Sequence, residues 1–208
     1  MKKIFILGAL AFAQPALYAQ SAKTVMAAAP AAATTWNLDH SHSNVRFTVD
    51  HMVISEVEGT FNVFNGKISA PNPDFNGAQI EFSVDATSIN TNNEKRDAHL
   101  KSEEFFHTDK FPEMKFKSTS FKKVKDNAYV LEGDMTIKGI TKKVQFAVVF
   151  GGTVKDNWGN IKAGFKANGT INRKEFGLSW GPVTEAGGAV VGDDVRMQIN
   201  VQFAQAKG

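Results

Sequence analysis

The chain contains no cysteine, which excludes disulfides, iron–sulfur sites and the lipidated cysteine that anchors bacterial lipoproteins. Stability must come from a core. Polar aromatics are scarce as well: 2 tyrosines and 3 tryptophans stand against 17 phenylalanines. Phenylalanine supplies bulk without a polar group that needs a partner, so a dry interior is expected. No block of like charges occurs, and the formal net charge of +3 falls to +1 once Lys2 and Lys3 are removed with the leader described below. A nearly neutral chain lacks the electrostatic footprint of a nucleic-acid binder. Beyond the N-terminus no apolar run approaches the roughly 20 residues of a spanning helix, so stable membrane insertion is not expected.

The N-terminus reads as a secretory signal peptide over 1–19. Lys2 and Lys3 precede the apolar run Ile4–Ala13, and small residues stand at Ala16 and Ala19. Residues 20–35 include AAAPAAATT, a composition that cannot bury enough surface to order itself and reads as a flexible tether. Residues 36–205 are the length of one domain. A periplasmic or secreted protein is expected.

From Trp36 onward the dominant period is two, which sends successive side chains to opposite faces of a strand. Val45, Phe47, Val49 and His51 alternate with Asn44, Arg46, Thr48 and Asp50; Ile80, Phe82 and Val84 do so with polar neighbours, as do Val195, Met197, Ile199, Val201 and Phe203. Further strands are expected over 59–68, 114–121, 128–137, 143–150 and 163–171. About eight antiparallel strands with one wet face point to an all-β sandwich or up-and-down barrel, and closure would remove aggregation-prone edges. The barrel is the preferred reading. Composition alone leaves a packed and a hollow interior equally open.

One segment breaks the alternation. TNNEKRDAHLKSEEFFHTDKFP, from Thr91 to Pro112, predicts a short helical insertion around residues 92–107, with Thr91 and Glu94 as a capping box. Ser102 is expected to cap a second turn carrying Phe105 and Phe106, and Pro112 to stop it. Burial of each phenylalanine is worth roughly 1.5–3 kcal/mol, enough to pin this segment over an opening.

The residues that invite chemistry do not assemble into a motif. His40 and His42, with Asp39 and His51 nearby, are too few for a closed metal site, and no HExxH occurs. No GxSxG accompanies Arg96, Asp97 and His99. No catalytic residue, cofactor or metal is therefore assigned. Arg96 and Asp97 read as ties from the helix to a loop, with contact to a ligand's polar head as the alternative.

Taken in order, HS at 42–43, Phe47 to His51, Gly59 and Phe61, RDAHL at 96–100, FF to FP at 105–112, GDMTIKGITKKV at 133–144, GF at 164–165, and Arg173, Phe176 and Gly177 resemble the bacterial YceI-like family. The likeness runs from about Trp36 to Phe203. His40 and the alanine-rich tether depart from its pattern. The resemblance implies an extended, lipocalin-like antiparallel eight-stranded β-barrel that holds a long isoprenoid or fatty amphiphile, acting as carrier, store or sensor and often as a homodimer. Phe47, Phe61, Phe82, Phe116, Phe146, Phe165, Met197 and Ile199 are then expected around the tail, Phe105 and Phe106 in its lid or wall, and Arg96 and His99 at the head group. Two other functions remain in view: a packed barrel serving as an interaction module, and an enzyme acting on an amphiphile.

Overall fold

A computed structural model describes residues 33–183 and 187–207. The signal peptide read at 1–19 and the tether residues 20–32 lie outside these. The tether's last two residues, Thr34 and Thr35, already belong to the first strand.

Among the described residues, alternating apolar residues produce ten strands: β1 (Thr34–His51), β2 (Ser55–Phe61), β3 (Phe64–Ala70), β4 (Gln79–Asp85), β5 (Ile89–Asn90), β6 (Glu113–Lys125), β7 (Ala128–Ile137), β8 (Ile140–Lys155), β9 (Ile161–Asn172) and β10 (Val191–Gln205). A helix, α1 (Glu94–Lys101), lies between β5 and β6. Neighbours run β1–β3–β4–β6–β7–β8–β9–β10, and β10 pairs back onto β1. That is a closed eight-stranded antiparallel barrel. β2 and β3 pair with opposite halves of β1, Phe47 facing Gly59 and Trp36 facing Ile68. They form one stave, interrupted at Asn62 and Val63 within the strand expected at 59–68. β5 continues the β4 stave after a 3-10 turn at Ala86–Ser88 in the same way. Among the described residues no helix is long and apolar enough to cross a membrane.

β1 is the longest strand and carries a bulge, because its pairing with β10 slips between Asp39 and Asn44. Bulges leave residues unpaired and bend a strand, and here side chains take over the lost backbone bonds. Ser43 Oγ donates to the Asp39 carbonyl at 2.6 Å and accepts from the Gln202 amide at 3.0 Å. The Asp39 carboxylate accepts from Lys162 Nζ at 2.7 Å and Gln202 Nε2 at 3.1 Å, with His42 Nδ1 at 3.3 Å. The Lys162 hydrogen bond is the main reason that Asp39 titrates near pH 2, below its ordinary 3.8. A depressed carboxylate pKa stabilises the fold above the unfolded value and loses that contribution as pH falls through the folded one. Lys162→Met should therefore cost on the order of 1–2 kcal/mol above pH 5, after allowance for screening, and progressively less toward pH 2. Denaturation of both proteins across that range checks this; a difference independent of pH would contradict it.

One end of the barrel is plugged. The connection between β3 and β4 folds Phe75 inward to 1% exposure, where its ring meets Trp36 at 5.0 Å, Phe165 at 5.1 Å and Phe150 at 5.3 Å. The Tyr129 hydroxyl donates to the Asp74 carbonyl, the Gly77 amide donates to the Phe121 carbonyl at 2.8 Å, and the Lys123 amide donates to Asn76 Oδ1 at 3.0 Å. These polar ties satisfy loop backbone that would otherwise be buried unpaired. The opposite end carries α1, the β1–β2 hairpin and the connection between β9 and β10.

Candidate binding cavity

Above the plug the barrel is hollow, with a cavity of about 580 Å³, within the roughly 300–1,000 Å³ of small-molecule pockets. Its emptiness has a source in the strands. A Cβ placed on Gly59, Gly66, Gly133 or Gly169 would lie closer than 3.0 Å to a ring on a neighbouring strand, respectively Phe47, Phe82, Phe116 and Phe146. Each inward phenylalanine lies flat over a glycine instead of reaching toward the barrel axis, an arrangement that also shields the glycine backbone. Phe82, Met135, Ile199 and Val201 are only partly buried although they line this interior. Their remaining accessible surface is cavity wall.

The glycines differ in what a side chain would meet. At Gly133 and Gly169 it would also crowd the backbone oxygens of Lys117 and Gln145, whereas at Gly59 it meets the far edge of the Phe47 ring and the Thr91 methyl. Gly59→Ala should therefore swing Phe47 into the lumen, costing about 1–3 kcal/mol of stability and shrinking the cavity. A crystal structure of the variant checks the ring position, and an unmoved Phe47 would refute it.

The eight apolar residues expected around a tail, Phe47, Phe61, Phe82, Phe116, Phe146, Phe165, Met197 and Ile199, and the two expected in its lid or wall, Phe105 and Phe106, all line this cavity. Arg96 and His99 line it too. Phe121, Arg173, Phe176, Leu178, Trp180, Val190 and Phe203 are among its further lining residues and were not anticipated there. Phe203 extends the alternation already visible in its strand, whereas Phe121 turns inward only because a bulge between Ser118 and Ser120 shifts the parity set by Met114 and Phe116. Phe176 ends a 3-10 turn that begins at Arg173, and Leu178 and Trp180 sit in irregular chain, where no period signals an inward side.

The helix that borders the mouth starts later than the capping-box reading requires. Asn93 is the N-cap, and its side chain accepts from the Arg96 amide at 3.0 Å. Thr91 instead serves as a hub. Arg96 donates through Nε to Thr91 Oγ1 at 2.8 Å and through Nη2 to its carbonyl at 2.7 Å, while Asp97 accepts from the Thr91 amide at 2.9 Å and from its hydroxyl. Arg96 and Asp97 thus tie the helix to the preceding loop. Ser102 is the C-cap of α1, and turns rather than a second helix carry Phe105 and Phe106.

Aromatic contacts fix this segment. Phe106 stands edge-on to Phe61 at 5.9 Å, so one phenylalanine holds to the wall. Phe105, His99 and Trp180 meet at 5.0–5.3 Å and join α1 to the chain after β9, while His99 Nε2 and Glu104 Oε2 lie 2.5 Å apart. That chain is in turn held by Arg173, 5% exposed, which donates to the carbonyls of Leu178, Trp180, Val191 and Gly192. Burial pushes its guanidinium below the ordinary value, with Asp193 opposing.

The polar lining is confined to this end. His51, Asn93, Lys95, Arg96, His99, Lys115 and Arg173 contribute it, and among the described residues no aspartate or glutamate lines the cavity. Among the described residues no group of three or more His, Asp or Glu side chains converges to hold a metal.

The profile of the YceI-like domain matches residues 36–203. The chain belongs to the YceI-like family. It is similar to the UPF0312 protein SA2479 of Staphylococcus aureus strain N315, 37% identical over 172 residues that cover 82% of this chain and 98% of that one. The crystal structure of the Campylobacter jejuni YCEI protein superposes with a TM-score of 0.64 at 29% identity, covering 76% of this chain and 90% of that one. The fold alone is shared with a polyisoprenoid binding domain from Saccharophagus degradans, described as implicated in plant cell wall breakdown, at a TM-score of 0.61 and 15% identity, with 82% of this chain and 98% of that one covered.

Proposed function

We propose that this protein carries the apolar tail of an isoprenoid or similar long-chain amphiphile inside its barrel, with the head group at the mouth beside α1. The observation that carries this reading is the polarity of the cavity: carbon-lined from the aromatic plug upward, with its polar residues at the opposite end. A tail exposed to water costs about 0.8 kcal/mol per CH₂, so an amphiphile cannot cross an aqueous compartment in useful amounts without such a sleeve. Lys95, Arg96, Lys115 and Arg173, with no carboxylate among the described lining residues, favour a neutral or anionic head over a cationic one. The polyisoprenoid-binding description of the S. degradans domain supports the choice of tail. The signal peptide read at 1–19 supports a periplasmic or secreted site for this work.

Titration with a fluorescent prenyl-tailed probe tests the reading. Saturable binding of one probe per barrel is expected, competed by an unlabelled prenyl or fatty chain and not by the head group alone. Absence of saturable binding to the folded protein would refute it.

A further inference from the structure

The β1–β2 hairpin ends in three consecutive apolar residues, Met52, Val53 and Ile54, exposed to 44%, 76% and 87%. The turn is closed by the Ile54 amide donating to the His51 carbonyl at 3.3 Å. Its two central residues, Met52 and Val53, hold φ of 52° and 66°. Such turns favour Asn-Gly, and a β-branched residue at positive φ is strained. Both the composition and the conformation of the tip therefore work against solubility and stability, a combination that points to a use outside the fold.

The surroundings indicate the use. β1 lines the cavity with Val45, Phe47, Val49 and His51 and then runs directly into the tip, while Val57 and Val190 line the cavity on either side. The Met52 amide donates to the Val190 carbonyl at 2.9 Å, joining the tip to a connection that also presents Val183 at 71% exposure. An apolar rim is thus continuous with the apolar lumen. The carboxylates flanking the tip, Asp50 and Glu56, are bridged by Arg196 at 2.8 and 2.9 Å, which lowers their repulsion toward an anionic surface. Three tip residues offer far less than the roughly 800 Å² per partner of a stable protein interface. A bilayer requires no matching contour and accepts small apolar wedges reversibly.

We propose that Met52, Val53 and Ile54 insert into the surface of a lipid bilayer, docking the mouth of the barrel on the membrane that donates or receives its cargo. The cargo part of this proposal rests on the carrier reading above; the docking part does not.

The test uses protein purified from its own host without detergent, together with vesicles of phosphatidylethanolamine and phosphatidylglycerol. The triple variant Met52→Asn, Val53→Gly, Ile54→Ser removes the apolar tip and supplies the residues that the turn favours, so its melting temperature should not fall. Co-sedimentation with vesicles should fall by at least about tenfold, and transfer of a prenyl-tailed probe between vesicles should slow similarly, while equilibrium binding of the same probe in vesicle-free buffer stays unchanged. Trp158→Ser, which changes an 83%-exposed residue in the β8–β9 turn at the plugged end, should leave co-sedimentation unaltered. Undiminished co-sedimentation of the triple variant, or a loss produced by Trp158→Ser in its place, would overturn the proposal. Wild-type protein that sediments through the tip yet takes up no probe would sink the carrier reading and sustain docking; uptake without sedimentation would do the reverse.

Discussion

Phe82→Glu should abolish uptake of a prenyl tail while leaving a folded barrel. Phe82 lies over Gly66 and stacks with Phe64 at 5.9 Å, and it lines the cavity with part of its surface still accessible. A carboxylate at this place can be hydrated while the lumen is empty. A hydrocarbon tail would strip that hydration, and the effective penalty of burying an unpaired ion is several kcal/mol, which corresponds to a loss of about a thousandfold or more in affinity. The pH dependence has a definite sign. Contact with the tail raises the introduced carboxyl's pKa, and the neutral acid is far cheaper to bury, so uptake should recover partly as pH falls toward 5. Phe82→Leu, apolar at all pH, should retain most of the affinity. A folded Phe82→Glu protein that binds normally would remove Phe82 from the path of the tail.

Arg173→Met should cost about 3–5 kcal/mol of stability, the range for removing one partner from a buried ionic network. The guanidinium reaches the carbonyls of Gly192 at 2.8 Å, Leu178 and Trp180 at 2.5 Å each and Val191 at 3.3 Å, with Asp193 at 3.4 Å. Methionine matches the stem but leaves these acceptors without a donor, each buried one costing about 1–3 kcal/mol. Lysine has three donors on a single nitrogen and cannot span carbonyls on both sides of the loop, so Arg173→Lys should fall between. Because Trp180 belongs to this loop and packs against His99 and Phe105, the methionine variant should also loosen the mouth. Chemical denaturation checks the first effect and protection of α1 amides from hydrogen exchange the second. A loss below about 1 kcal/mol would contradict the assigned role.

Strand positions were legible because burial on one face imposes a period of two, and that period survives in Val195, Met197, Ile199, Val201 and Phe203 without knowledge of any partner strand. The breaks were not. The interruption at Asn62 and Val63 and the bulge at Asp39–Asn44 arise from pairing with remote strands, and nothing local announces them. The helix cap was misplaced for a related reason: Thr91 and Asn93 are both good caps by residue type, and the outcome turned on Asp97 and Arg96 folding back to occupy Thr91. Arg96 and Asp97 as ties, by contrast, followed from their chemistry.

Hollow versus packed could not be decided from composition, because the answer lies in which residue faces each phenylalanine. Phe47 faces Gly59 and Phe82 faces Gly66 only once the register is known. Arg173 and Trp180 escaped assignment to the site because the chain after β9 has no period to read. Phe75 escaped because it enters the barrel from a connection rather than a strand.

A tail filling the lumen is most directly detected by mass spectrometry of the organic extract from protein purified out of its own host without detergent and then denatured. A prenyl or fatty amphiphile near one per chain is the predicted result and would name the cargo. A clean extract from protein shown to be folded, combined with no uptake when that protein is offered prenyl chains, would contradict the central claim.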